Sequence, residues 1–504
     1  MTERNQGADQ TPEEPPFEPG TTGRYVITFD PQATDEALGV LRARFRVVID
    51  EETDLGGRAH PRGRADHGRP RGGRPAGRPA GHPRGKPDRR ERPDQTFRGA
   101  EREVGAAPPL ASQRGTIHHR GLGIVVAGGL SPENVEQLRA AIATVDNPLQ
   151  AIVPERIYYA LQEGSTGEEW GGAQQRPFEA EPLAEGPTAE HLVASGARIS
   201  PGGVGVFAPF EVFMFTWGLG VTKAAASRLS GRGMKVAVLD TGLDLGHPDF
   251  AGRNIVSRSF VANERGEELP VQDGHGHGTH CIGTACGPRA PFRAPGRPPS
   301  YGCASNCDIF VGKVLSNQGA GTTAGVIAGI QWAIANGCQV VSMSLGRKIQ
   351  PDESGFNPAY EQVARLALQR GTLIIAGAGN ESVRPGVIHP VSEPANSPSI
   401  LAVGALDEAL LSAPFSNGGF FLPHGAVNIM GPGVKVHSSV PLPQLYGEKH
   451  GTSMATPHVA GIAALWAEAN RMFRGVALGR QLLFSARRLP LHPRDVGAGL
   501  VQAP

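Results

Sequence analysis

The chain has 504 residues, a formal net charge of +1 and 39% hydrophobic residues. This balance is typical of a globular protein, and it argues against both a chain dominated by nucleic-acid binding and one built on membrane-spanning segments. The 69 glycines and 44 prolines predict extended loops and low-complexity segments.

Residues 1–23 are acidic and rich in proline, and we expect them to form a disordered tail. They contain no apolar run after a basic start, so they do not resemble a signal peptide. We therefore expect a cytoplasmic protein, with secretion by a non-standard route or from a misassigned start as the alternative. The five cysteines are expected to be reduced thiols.

Residues 24–162 are predicted to form a small α+β domain with two strand-helix-strand halves. In the first half, alternating apolar residues at 25–29 predict a strand, Thr34 is a candidate helix cap, and 46–49 predict a second strand. In the second half, strands are predicted at 123–126 and 150–153 on either side of a helix capped by Ser131.

Two low-complexity segments border these halves. The domain is interrupted at about 53–116 by an insert of arginine, glycine and proline, whose composition cannot bury a core. We interpret this insert as a solvated loop, with an electrostatic contact to nucleic acid or another anionic partner as the alternative. Residues 163–215 have no sustained period and are predicted to be a linker.

Residues 216–504 alternate short apolar strands with helical patterns. The strands are apolar at nearly every residue, which indicates burial on both faces. They are predicted at 236–239, 309–311, 340–343 and 373–376. The pattern predicts an α/β domain with a mostly parallel sheet and helices on both faces.

Three segments of this domain carry residues suited to catalysis. Asp240 follows a buried strand, although an Asp there is often only a turn residue. His277 lies with two other histidines in DGHGHGTHCIG, where zinc binding is the alternative, but the spacing does not match a metal-binding helix pair. Ser453 begins a predicted helix in GTSMATPHVAG, where a serine is often a simple cap.

Together, in the order Asp, His, Ser, these segments resemble the motifs of the subtilase family of serine peptidases, peptidase family S8. The resemblance implies a subtilisin-like fold and a triad in which Asp240 orients His277, the general base, and Ser453 is the nucleophile. Asn380 matches the oxyanion residue of the family. Two segments match the walls of the substrate cleft, and these consist of Ser344, Leu345 and Gly346 on one side and Gly377, Ala378 and Gly379 on the other.

The resemblance also bears on cofactors. Many subtilases bind calcium on a loop after the catalytic histidine, but residues 288–297 are basic here and contain no carboxylate. Asp249 matches one calcium ligand of the family and is left as a lone candidate. We expect no required cofactor. Cys281 resembles a cysteine of the proteinase K branch and is expected to be a buried thiol near the triad.

The domain at 24–162 resembles the inhibitory propeptide of secreted subtilases, of the inhibitor I9 type with a ferredoxin-like fold. This resemblance implies a serine endopeptidase made as a self-processed zymogen, which hydrolyses extended protein segments through an acyl-enzyme. Its expected partners are peptide substrates and its own propeptide, and we expect a monomer. The alternative is a catalytically silent, subtilase-derived protein that binds peptides.

Overall fold

The protein is described here from a computed structural model, which describes residues 20–53, 115–144, 147–161, 215–263, 266–291, 299–350, 353, 355–419 and 425–504. The predicted insert and linker lie outside the described residues, apart from a few residues at their edges. The predicted boundary of the N-terminal tail is wrong, because strand β1 begins at Thr21, which pairs with Arg156.

The described part of the first region, up to residue 161, contains five strands and two α-helices. They are β1 (Thr21–Phe29), α1 (Thr34–Phe45), β2 (Glu51–Thr53), β3 (Ile117–His119), β4 (Ile124–Ala127), α2 (Pro132–Ile142) and β5 (Leu149–Ala160). The strands lie in the order β5-β1-β4-β3-β2, and β1 is antiparallel to both of its neighbours. Ser131 caps α2 as predicted, since its hydroxyl accepts a hydrogen bond from Asn134 N at 3.2 Å.

The first predicted half differs from the structure at two points. Thr34 is the first residue of α1, and the cap position is Ala33. Residues 46–49 are not a strand, because Arg46 ends α1 in the left-handed conformation at φ 54° and its N–H bonds to Leu41 O. Val47 and Ile49 nevertheless belong to the buried core of this region. Their apolar pattern indicated burial, but buried apolar residues occur in irregular segments as well as in strands.

The second region begins near residue 215 and contains the predicted parallel sheet. Its strands are β6 (Lys235–Asp240), β7 (Ile255–Ser259), β8 (Asp308–Lys313), β9 (Ala320–Thr322), β10 (Val340–Met343), β11 (Leu345–Gly346), β12 (Leu373–Gly377), β13 (Leu401–Leu406), β14 (Ile429–Pro432), β15 (Val436–Ser439) and β16 (Tyr446–Lys449). Seven of them form one sheet in the order β14-β13-β12-β10-β6-β8-β7, and every pairing in it is parallel. Burial of β6, β10 and β12 along nearly their whole lengths explains why their sequences are mainly apolar.

Helices cover this sheet. They are α3 (Trp217–Val221), α4 (His277–Cys286), α5 (Thr323–Ala335), α6 (Pro358–Gln369), α7 (Thr452–Ala469), α8 (Gly475–Ser485) and α9 (Pro493–Val496). Helix α7 is buried almost throughout, and its small residues allow it to pack against the strands and α4. The predicted α/β class is therefore confirmed. No described helix has the length and apolar character needed to cross a membrane.

The N-terminal sheet has two buried faces. Ile27 and Val125 face α1 and α2 in a small core of their own, whereas Val26 and Ile124 belong to the large core of the second region. Successive residues of a strand point to opposite faces, so β1 and β4 join the two cores. At its edge, β5 also pairs with β9 and β11 of the second region.

Candidate active site

Asp240 and His277 meet at the carboxyl edge of the parallel sheet. Asp240 is the last residue of β6, and His277 is the first residue of α4. His277 Nδ1 lies 2.7 Å from Asp240 Oδ1, and both side chains are buried. Asp240 Oδ1 also accepts a hydrogen bond from the N–H of Thr241 at 2.7 Å. The carboxylate therefore fixes the orientation of the imidazole.

Asp273 shapes the loop that presents His277. Its carboxylate accepts hydrogen bonds from the backbone N–H groups of His275, Gly276 and Thr279, at 2.8–2.9 Å, and from the Thr241 hydroxyl. Burial would raise the pKa of Asp273, but these hydrogen bonds outweigh it and hold the pKa below its usual range. Asp273 thus stays ionised and ties the start of α4 to the end of β6.

Two glycines allow the start of α4 to lie close to the turn that follows Asp240. Gly276 precedes α4 at φ +87°, a conformation that L side chains rarely adopt. At Gly278, a Cβ atom would lie 2.3 Å from the carbonyl oxygen of Gly242, so any larger residue would push the helix away from the Asp240 turn. The glycine-rich spacing around His277 is therefore a packing requirement.

Ser453 is the second residue of α7 and is fully buried. Its hydroxyl donates to the carbonyl of Ser344 at 3.1 Å. Cys281 lies between Ser453 and His277, since its Sγ is 3.6 Å from the carbonyl oxygen of Ser453 and 3.8 Å from His277 Nδ1. Among the described residues, no group hydrogen-bonds His277 Nε2. This nitrogen is therefore available to a hydroxyl that turns toward it.

Asn380 follows β12 and is oriented by the residue before Ser453. Its Oδ1 accepts hydrogen bonds from the N–H and the hydroxyl of Thr452, both at 2.9 Å. Its Nδ2 is buried and has no hydrogen-bond acceptor in the described part of the chain. A buried donor without an acceptor is costly, so this amide is suited to an oxygen that a substrate brings.

The two predicted cleft walls enclose the end of the N-terminal region. Gly346 of β11 pairs with Tyr159 of β5, and Leu161 N donates to the carbonyl of Ser344 at 3.2 Å. The Leu161 side chain lies between the walls, since a Cβ atom would meet it at 3.2 Å from Gly346 and at 3.1 Å from Gly377. Leu161 is buried there.

The other two histidines of the cluster do not join His277 in a metal site. His280 Nε2 lies 2.9 Å from the carbonyl of Val436, and burial holds the pKa of His280 well below its usual range. His275 makes an edge-on ring contact with His277 at 6.1 Å. Within the described ranges, the one group with metal-ligand spacing is Asp240, His277 and Cys281, whose ligand atoms lie within 4.8 Å of one another.

The surroundings of Asp249 do not fit a calcium ion. Its Oδ2 accepts hydrogen bonds from the hydroxyls of Tyr301 at 2.5 Å and Tyr446 at 3.0 Å. Burial first, and then the Asp249 charge, raise the pKa of Tyr301 well above its usual range, so its hydroxyl remains a donor. Calcium requires several oxygen ligands that carry lone pairs toward it. Asp249 Oδ2 instead accepts hydrogen bonds from two phenolic hydroxyls.

Sequence reasoning overlooked Asp273 and Thr452. Both stand inside the quoted motifs, next to the candidate triad, but nothing in a motif shows which neighbour orients a catalytic side chain. The available signal for Thr452 is its position at the first turn of α7, where a hydroxyl can reach the preceding loop.

Comparison with known proteins defines the class of this site. The family model described as Subtilase family (Peptidase_S8) matches residues 231–499. The subtilisin of Bacillus pumilus is 40% identical over 236 residues, which are 47% of this chain and 77% of that protein. Subtilisin Savinase of Lederbergia lenta is 36% identical over 290 residues, which are 57% of this chain and 96% of that protein.

A solved structure is also similar in sequence. It is described as the crystal structure of a cold adapted subtilisin-like serine proteinase, and its sequence is 30% identical to this chain. The match covers 57% of this chain and 96% of that protein's chain, with a TM-score of 0.46. The protein is a serine endopeptidase by the family match and by its similarity to the subtilisins. It belongs to the subtilase family, peptidase S8.

Proposed function

We propose that this subtilase hydrolyses extended protein segments through an acyl-enzyme on Ser453. Ser453 Oγ attacks the carbonyl carbon of the bond that is cleaved, and His277 Nε2 takes its proton and later gives it to the leaving amine. Asp240 holds the imidazole in the tautomer that this step needs. Asn380 Nδ2 donates a hydrogen bond to the oxyanion of the tetrahedral intermediate.

The observation that carries this proposal is the position of β5. This strand enters the second region between β9 and β11, so it is hydrogen-bonded on both edges. Ala160 N donates to Gly319 O at 3.0 Å, and Leu161 reaches the pocket beside the nucleophile. An added strand with a side chain in a pocket is the way an extended peptide substrate is held.

We further propose that residues 20–161 act as an inhibitory propeptide and that the enzyme cleaves its own chain after Leu161. The contacts that support this proposal lie outside the cleft as well. Gln362 Nε2 donates to the carbonyls of Phe29 at 2.8 Å and Leu122 at 2.6 Å. Glu155 accepts a hydrogen bond from Ala324 N, at the start of α5, at 3.0 Å. A carboxylate at this end of a helix is favoured by the helix dipole.

The experiment compares the purified full chain with Ser453→Ala and with Ser485→Ala, a serine at the end of α8. Wild type and Ser485→Ala should release a fragment ending at Leu161, cleave casein and react with phenylmethylsulfonyl fluoride. Ser453→Ala should stay full length and lose casein cleavage by several orders of magnitude. If wild type stays full length, takes up no reagent and cleaves nothing after limited proteolysis of its N-terminal region, the silent peptide-binding alternative replaces this proposal.

A further inference from the structure

The strand in the cleft contains two adjacent tyrosines with different surroundings. Tyr158 is fully buried, whereas Tyr159 is partly exposed. Successive side chains of a strand point to opposite faces, so the two rings point to different sides of β5. Counting back from Leu161, Tyr158 is the fourth residue before the proposed cleavage point.

Tyr158 fills a pocket whose floor is a carboxylate. Its ring packs edge-on against Tyr360, with ring centroids 5.4 Å apart and an interplanar angle of 78°. Its hydroxyl donates a hydrogen bond to Glu393 Oε1, and Glu393 is only 3% exposed. We call the space bounded by Tyr360 and Glu393 the Tyr158 pocket.

Glu393 is held in place by groups other than Tyr158. Asn357 Nδ2 donates to its Oε1 at 2.8 Å, and Arg347 donates to its Oε2 through Nη2 at 2.7 Å and Nε at 3.1 Å. The backbones of Arg347 and Glu393 also exchange two hydrogen bonds, at 2.9 and 3.1 Å. Arg347 in turn binds both carboxylate oxygens of Glu353 at 2.9 Å. The carboxylate is thus preorganised, and its charge is balanced by Arg347.

The electrostatics fix the direction of the Tyr158 hydrogen bond. Burial first, and then the Glu393 charge, raise the pKa of Tyr158 well above its usual range. The hydroxyl therefore keeps its proton and remains the donor. A phenylalanine ring would fill the same space, but it would leave Glu393 Oε1 without this donor inside a pocket closed to water. Oε1 would then keep Asn357 as its one donor among the described residues and lose a charge-assisted hydrogen bond, so the site disfavours the analogue that lacks the hydroxyl.

We propose that Glu393 makes this cleft selective for tyrosine at the fourth residue before the cleaved bond. This selectivity rests on the proposed function, because it assumes that β5 lies in the cleft in the same way as a bound substrate. The substrate class is then an extended protein segment with tyrosine at that place and a leucine-sized residue directly before the cleaved bond. Glu393 lies in the loop between β12 and β13.

Three quenched fluorescent peptides test this selectivity with enzyme that was expressed as the full chain and has processed itself. The first carries RIYYALQ, the second has phenylalanine in place of its first tyrosine, and the third has phenylalanine in place of its second tyrosine. Active enzyme is counted by covalent labelling with a fluorophosphonate. We expect kcat/KM to fall about 10- to 100-fold for the second peptide, and by less than about threefold for the third, whose changed ring points away from Glu393.

The Glu393→Gln variant assigns the effect to the carboxylate. Its covalent labelling by the fluorophosphonate shows that it is folded, and it should prefer the tyrosine peptide over the phenylalanine peptide by less than about threefold. Equal cleavage of the first two peptides by wild type would overturn the selectivity while leaving the peptidase intact. Absence of both labelling and cleavage would overturn the proposed function itself.

Discussion

Glu155 forms a buried ion pair within the N-terminal region and also accepts a hydrogen bond from helix α5 of the second region. Its carboxylate accepts hydrogen bonds from Arg24 at 2.5 and 2.8 Å, from the Thr22 hydroxyl at 2.5 Å, and from Ala324 N at 3.0 Å. Arg24 is 4% exposed and Glu155 is fully buried. The Glu155→Ala substitution removes the carboxylate and leaves the Arg24 charge buried.

The expected cost follows from this burial. Breaking a buried ion pair from one side costs about 3–5 kcal/mol, because the remaining charge is desolvated without its partner. Part of this loss falls on the contact with α5, since the N–H of Ala324 loses its acceptor. We therefore expect the N-terminal region both to unfold more easily and to leave the cleft more often.

The assay is hydrogen exchange of the full chain in a Ser453→Ala background, which prevents self-cleavage. Protection of the amides in β1 and β5 should fall by about 3–5 kcal/mol in Glu155→Ala. Glu136→Ala is the matched control, because Glu136 pairs with Arg139 on an exposed helix face at 2.6 Å. The control should change protection by less than about 0.5 kcal/mol. Equal, small effects of both substitutions would refute the reasoning.

Three further predictions follow from buried groups. Tyr301→Phe should lower the free energy of unfolding by about 1–3 kcal/mol in urea, since Asp249 loses a buried donor, whereas a chelator should leave the wild-type unfolding midpoint unchanged. Burial lowers the pKa of His119 to about 4, so folding favours the neutral form of its imidazole. The free energy of unfolding should therefore fall by up to about 3 kcal/mol as the pH drops from 7 to 4, and His119→Gln should remove this loss. A mercurial should inactivate the enzyme through Cys281 by displacing His277, and full activity after confirmed modification would contradict this.

The parallel sheet could be predicted from the sequence because its signal is local. A strand segment buried on both faces must be largely apolar, as at 236–239 of β6 and throughout β12, and this requirement holds wherever its neighbours lie. The strand predicted at 46–49 failed for the same reason. Val47 and Ile49 are buried, but burial alone does not decide whether a segment pairs with another strand.

The candidate triad was predicted from motif order, and the structure brings Asp240 and His277 into contact while leaving the hydroxyl of Ser453 on Ser344. The catalytic roles remain predictions that the substitution at Ser453 tests. For Asp249 the local match to a calcium ligand does not show what surrounds its carboxylate, and the chelator measurement tests the calcium prediction. Its partners Tyr301 and Tyr446 come from distant parts of the chain, and both donate to Oδ2.

The sequence by itself determined the family, the parallel sheet and the residues from which a triad can be built, because motifs and apolar runs are properties of neighbouring residues. Only the tertiary structure decided which side chains share a pocket. Tyr158 and Glu393 are 235 residues apart, and Arg24 and Glu155 are 131 residues apart. A hydrogen bond depends on distance and direction in space, and no local period in the sequence encodes a meeting of two such distant groups.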